Sequence, residues 1–142
     1  MRKPASVLRV LDANANRALE GLRVCEDAVR FHLESPHAFR RTRALRHAVA
    51  DAIHRLPVTS IELIRSRESS RDIGKRATAS RIPSLEQLVL INFQRTKEAL
   101  RTLEECARVI SPKDTASFQR LRFRTYEVER EVLLNLDALR HR

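Results

Sequence analysis

The chain has 142 residues, enough for one domain that buries a core without disulfides or a structural metal. With two glycines and no tryptophan, it lacks the turn material of a many-stranded β fold and must build its core from Leu, Ile, Val and Ala. Its 28 Lys+Arg, almost all arginine, exceed 18 Asp+Glu and leave a net charge of +10, which points to an anionic partner.

Arginine favours bidentate binding of phosphate or carboxylate. Basic residues here are spread along the chain among acids, and aromatic residues for base stacking are few, so nucleic acid is not the expected partner. The start, Met1-Arg2-Lys3-Pro4, is basic, but no apolar run of signal-peptide or membrane length follows anywhere. A cytoplasmic protein without membrane contact is expected.

In chain order, the first helix is predicted from Ser6 to Glu34, with Leu11, Ala15, Ala18, Leu22, Cys25, Val29 and Leu33 on one apolar stripe. Ser35-Pro36 reads as an N-cap followed by proline at the first helical position, opening a second helix that Pro57 stops. Between 58 and 83 the pattern weakens. Ile61, Leu63 and Ile64 can pack as a short segment, and the polar stretch after them is an ordered connection or a mobile lid. Ser84 with Gln87 is a capping box for the third helix, and Ser111-Pro112 repeats the earlier cap and opens the fourth, which runs to about Leu139. Cys25 and Cys106 have neither CxxC spacing nor paired histidines and are assigned as packed free thiols.

The chain repeats itself. A shift of 78 residues, from Asn14 to Asn92, also superposes Arg17 on Arg95, Glu20 on Glu98, Leu22 on Leu100, Arg23 on Arg101, Glu26 on Glu104 and Arg30 on Arg108. Gly21 falls on Ala99, Asp27 on Glu105 and, further on, Arg46 on Arg124. The expected architecture is all-α: a bundle of two duplicated helical hairpins with four main helices, repeat A at about 6–57, a connector at 58–83 and repeat B at about 84–141. All of 1–142 forms one domain in this reading.

Six of the seven shared identities are charged or amide residues, whereas a duplication kept for packing alone should keep its Leu and Ala. Asn14, Arg17 and Gly21 fall within about 60° of one another on a helical wheel, beside the apolar stripe. They are assigned to ligand or inter-helix contact, and the small residue at Gly21 or Ala99 would let a backbone or ligand approach. Arg23, Glu26 and Arg30 lie on the opposite flank. There i, i+3 and i, i+4 ion pairs worth a few tenths of a kcal/mol on a solvated face are the favoured reading of Arg30/Arg108 and Asp27/Glu105.

The string Leu11-Asp12-Ala13-Asn14-Ala15-Asn16-Arg17, then Glu20-Gly21-Leu22-Arg23, Glu26-Asp27 and Arg30-Phe31, resembles the dedicated hydroxymethylpyrimidine phosphate kinases. Members of that family occur alone or fused ahead of thiamine phosphate synthase. The resemblance continues through Leu45-Arg46-His47, Arg67, Asp72-Ile73-Gly74, Asn92, Arg95, Glu98-Ala99-Leu100-Arg101 and Leu103-Glu104-Glu105, from about Leu11 to Glu131. Glu68 and Lys75 depart from the family pattern, in which Asp and a small hydroxyl residue are usual. With no synthase domain visible, the resemblance implies a standalone kinase that phosphorylates the pyrimidine monophosphate of thiamine biosynthesis with ATP.

Such a transfer needs two phosphates in line, neutralised charge and a magnesium ion. The chain has neither a G-x-x-x-x-G-K-[ST] loop nor a glycine-rich kinase loop, so side chains must hold the phosphates. The resemblance and the repeat together give Arg17, Arg95 and Arg67 as catalytic candidates, with Asn14, Glu20, Arg23, Arg46 and His47 on the pyrimidine phosphate. Asn92, Glu98, Arg101, Asp72 and Gly74 are then the nucleotide candidates, and Glu20, Glu98 and Asp72 the candidate ligands of Mg2+. Asn14 is assigned to the pyrimidine because Gly21 should leave more room than Ala99, and the connector is expected to close over bound phosphates. A helical scaffold, or an anion- or nucleic-acid-binding protein without catalysis, is the alternative. A homodimer is compatible with either.

Overall fold

The computed structural model describes residues 3–141, so Met1 and Arg2 of the basic start lie outside the described residues. Every regular element among them is helical. α1 spans Ala5–Ala28 and buries Leu11, Ala15, Ala18, Leu22 and Cys25, the stripe read from the sequence. It runs directly into a π-helical turn, Val29–Leu33, closed by Glu34 in the left-handed conformation (φ 56°) with its N–H on the Val29 carbonyl at 2.8 Å. α2, Pro36–Arg55, then begins as predicted, with the Ser35 hydroxyl accepting the Ala38 N–H at 3.2 Å.

The π turn corrects the register of the duplication. α4, Leu85–Ile110, ends without one and passes straight to Ser111, so repeat A holds two residues, Leu33 and Glu34, that repeat B lacks. Beyond that point the offset is 76: Thr42, Leu45, Val49 and Ala52 of α2 and Leu56 just after it match Phe118, Leu121, Thr125, Val128 and Val132 of α5, all buried. Arg46 therefore corresponds to Arg122, not to Arg124.

The second Ser-Pro also departs from the first. The Ser111 hydroxyl bonds the Asp114 carboxylate, Pro112–Asp114 forms a 3-10 turn, and α5, Thr115–Arg140, starts after it with no side-chain cap. Ser84 caps α4 through the Gln87 N–H at 3.1 Å, without the reciprocal half of a capping box. The complete box lies at Thr59 and Glu62, and it opens a short helix, α3 (Ser60–Ser66), within the connector.

α1 packs on α4, each hairpin packs within itself, and α2 meets α5, so four helices enclose a core whose largest fully buried side chains are Phe93 and Phe118. None of the described helices is long and apolar enough to cross a membrane. The α1–α4 seam is tight at Gly21. A Cβ there would lie 2.5 Å from Thr96 Oγ1 and 2.8 Å from the Asn92 carbonyl oxygen. Thr96 Oγ1 in turn donates to the Ala18 carbonyl at 3.2 Å. The small residue thus admits a neighbouring helix, and the space left by its missing Cβ is taken by α4 and not by a ligand. Gly21→Ala should cost about 1–3 kcal/mol through overpacking against a backbone that cannot swing aside. Chemical denaturation checks this; an unchanged midpoint would show that the seam yields.

Candidate functional site

The residues that the repeat singled out meet along this seam. Asn14, Arg17 and Glu20 from α1 and Asn92, Arg95 and Glu98 from α4 line one cavity of about 620 Å³, with Gly21 and Ala99 at its floor. The two amides are held identically: Asn14 Nδ2 donates to the Val10 carbonyl and Asn92 Nδ2 to the Leu88 carbonyl, each at 2.8 Å. Both are nearly buried, and each keeps Oδ1 and its second amide hydrogen for another partner.

Among the described residues, neither Arg17 nor Arg95 has a carboxylate within ion-pair distance. Among the described residues Glu20 makes no ion pair either, and the Glu98 carboxylate accepts only from Gln94 Nε2, at 3.2 Å. Two guanidiniums and two carboxylates thus share a cavity without neutralising one another. That leaves both arginine forks free for phosphate oxygens.

The other arginines proposed from the sequence are already engaged. Arg46 Nη2 bonds both oxygens of the buried Glu26 at 3.2 Å, and Arg122 bonds both oxygens of Glu104 through Nε and Nη2. Arg23 pairs with Glu26 at 3.3 Å and Asp27 at 3.6 Å, while Arg101 pairs with Glu104 at 3.0 Å and Glu105 at 3.5 Å. The structure brings none of Arg23, Arg46, Arg101 or His47 to the seam cavity. The first three serve two equivalent ion-pair networks that tie each hairpin together, and His47 is exposed on α2.

A second cavity, about 420 Å³, shares Asn14 and Arg17 with the first and is walled by Arg67, Glu68, Ser69 and Asp72 of the connector. Arg67 places its fork on Asp12, with Nε 2.7 Å from Oδ2 and Nη2 3.0 Å from Oδ1; these bonds push the guanidinium further up from its usual pKa. Arg9 reaches Glu68 at 3.7 Å. Asp12 had no role in the sequence reading, although a carboxylate beside an apolar stripe was a visible signal. Its counterpart in repeat B is Leu90, so the connector can dock in this way on α1 alone. The duplication is symmetric at the seam and asymmetric beside it.

Beyond Arg67 the connector is exposed but internally bonded. Arg71 pairs with Glu68 at 3.1 Å, the Gly74 N–H donates to Asp72 Oδ1 at 2.8 Å, and Lys75 donates to the Ser70 carbonyl at 2.8 Å. Asp12→Asn removes one charge and half of the fork's acceptor geometry, so amide exchange across 65–76 should accelerate while α1 and α4 stay protected. Hydrogen–deuterium exchange reads this; an unchanged connector would mean that the Arg67 fork does not hold it.

No group of three or more metal-ligating side chains assembles among the described residues. Glu20 and Glu98 line the seam cavity, whereas Asp72 lines the connector cavity. Burial pushes the Cys25 thiol well up, with Glu129 adding to it, and burial followed by Glu105 raises Cys106; both stay protonated as packed groups.

Fold and groove together define a duplicated helical domain that gathers arginines, carboxylates and amides from two copies of one hairpin, with no phosphate loop. The sequence matches the ThiD2 family over residues 9–131, and the chain belongs to that family. It is 35% identical over 140 residues to a thiamine-phosphate synthase of Rhodopirellula baltica, covering 96% of this chain and 37% of the relative. A thiamine-phosphate synthase of Synechocystis is 35% identical over 133 residues, covering 92% and 37%, and one of Nostoc 35% over 130 residues, covering 89% and 35%. The chain thus spans little more than a third of each of these relatives. No solved structure matches it.

Proposed function

We propose that this chain acts in thiamine biosynthesis as an ATP-dependent kinase, converting 4-amino-5-hydroxymethyl-2-methylpyrimidine monophosphate to the diphosphate. One observation carries the reading: Asn14, Arg17 and Glu20 meet their repeats Asn92, Arg95 and Glu98 in one cavity, with both arginines unpaired. Family membership and the names of the relatives supply the pathway.

In the transfer, an oxygen of the substrate monophosphate forms a bond to the γ-phosphorus of ATP, the bond to the β-bridging oxygen breaks, and ADP leaves. The acceptor is already an anion, so no general base is required. Arg17 and Arg95 orient the two phosphate groups and offset their repulsion as they approach in line. Asn14 and Asn92 offer Oδ1 and an amide hydrogen, a pattern suited to an aminopyrimidine edge or an adenine edge.

Mg2+ bound with nucleotide commonly keeps several waters and takes only one or two carboxylates, and the unpaired Glu20 and Glu98 fit that need better than an all-protein cage would. Bound there, the ion would neutralise phosphate charge. The seam cavity is the larger and holds both carboxylates, so ATP is assigned to it. The pyrimidine phosphate is assigned to the connector cavity, where Asn14 and Arg17 form the shared wall.

Ligand-dependent melting tests this against a scaffold without catalysis. ATP with magnesium, and separately the pyrimidine monophosphate, should each raise the melting temperature, since ligands that bind only the folded state stabilise it. If neither raises it at millimolar concentration, the scaffold reading takes over.

A further inference from the structure

The α2–α5 seam, lined by other residues than the α1–α4 groove, has two ends that the duplication relates to each other. At one end Arg41 lies beside Glu127, Arg130 and Glu131, and Glu131 is bonded by both Arg41 and His37. At the other end, Arg55, Arg120 and Arg124 line a cavity of about 350 Å³ with Asp51 and Ser117. Through the offset of 76, Arg55 stands where Glu131 stands and Asp51 where Glu127 stands. The carboxylate that neutralises the first end is therefore an arginine at the second.

Three guanidiniums consequently share this cavity. Among the described residues none of the three lies within ion-pair distance of a carboxylate, and Arg120 makes only a 3.4 Å bond to Ser117 Oγ. By the same offset Ser117 stands where Arg41 stands, and Arg120 and Arg124 stand where Ala44 and Ala48 stand, so the accumulation of charge belongs to these side chains and not to the fold. Like charges gathered in a concavity repel unless an anion joins them. Three arginines less Asp51 leave a charge of about +2.

We infer that the cavity between the C-terminal part of α2 and the first turns of α5 is a second anion site, distinct from the α1–α4 groove, that takes a phosphate dianion through Arg55, Arg120 and Arg124. Inorganic phosphate and the phosphate end of a small monoester share this chemistry. The site is independent of the kinase reading, because no residue of the groove contributes to it.

Calorimetric titration of the full chain at low ionic strength tests it, in an Arg17→Gln/Arg95→Gln background that removes the groove's own forks. Inorganic phosphate, and in a second arm a phosphate monoester, should bind this background saturably at one site. Adding Arg120→Gln/Arg124→Gln should weaken that binding at least tenfold, with an unchanged helical circular-dichroism spectrum. A third variant, Arg55→Glu, installs the carboxylate type found at the mate; it should abolish binding and raise the melting temperature by pairing with Arg120 and Arg124. Saturation by the monoester alone would name the ester as the source of the phosphate, and saturation by both would name the dianion itself. No saturable binding by either anion, or binding unaltered by all three arginine replacements, would overturn the site.

Discussion

Replacing Arg17 or Arg95 by lysine should lower kcat/KM for the proposed kinase reaction at least about tenfold, equivalent to roughly 1.4 kcal/mol in the barrier. Lysine keeps the charge, so ionic attraction alone would predict little change. What it loses is the planar fork, which fixes two phosphate oxygens at once. The effect should differ between the two positions. Arg17 borders both cavities and stands where the proposed substrates meet, so Arg17→Lys should lower kcat itself. Arg95 lines only the seam cavity, so Arg95→Lys should act mainly through the Michaelis constant for ATP. Near-normal kinetics in both variants would assign these arginines to solvated charge.

The largest loss of stability should follow removal of Glu26 or Glu104. Each carboxylate side chain is about 4% exposed and neutralises an arginine of the partner helix in its hairpin. Glu26→Ala or Glu104→Ala leaves that guanidinium partly buried without its counter-charge, at a cost of about 2–4 kcal/mol. A fall of roughly 10 °C in melting temperature would correspond. Glu104 should be the costlier of the two. Arg122 engages it through both Nε and Nη2, whereas Arg46 uses Nη2 alone and leaves Nε buried without a partner. Thermal melts of the two variants side by side check both magnitude and order. Losses within about 0.5 kcal/mol would mean that these pairs behave as surface pairs do.

The repeat was legible because its polar identities fall at helical spacing. Asn14, Arg17, Glu20 and their counterparts line one cavity together. The four long helices followed from apolar periodicity and the Ser35 cap. What hid from the sequence was local backbone choice. The π turn at Val29–Leu33 absorbs two residues while α1 stays continuous, so a single offset of 78 looked adequate although the Ser-Pro pairs already stood 76 apart. α3 is only seven residues long, too short for periodicity, and announced itself solely through Thr59 and Glu62.

Among the site candidates, Arg23 and Arg101 sit on the helix flank that the wheel placed away from Asn14, and the resemblance alone drew them toward a ligand. Arg46 faces Glu26 because α2 packs on α1, a tertiary relation that spacing within one helix cannot show. Asp12 was overlooked for the same reason. Its partner, Arg67, lies 55 residues away in a segment with no periodic signal.

The most direct measurement follows ADP release and pyrimidine diphosphate formation together, with purified chain, ATP, magnesium and either the pyrimidine monophosphate or its unphosphorylated alcohol. Stoichiometric ADP and diphosphate are expected with the monophosphate, at a rate that falls at least about tenfold in Arg17→Lys. Absence of the diphosphate under conditions in which ATP and the monophosphate both raise the melting temperature would contradict the kinase reading, leaving a groove that binds both ligands and joins neither.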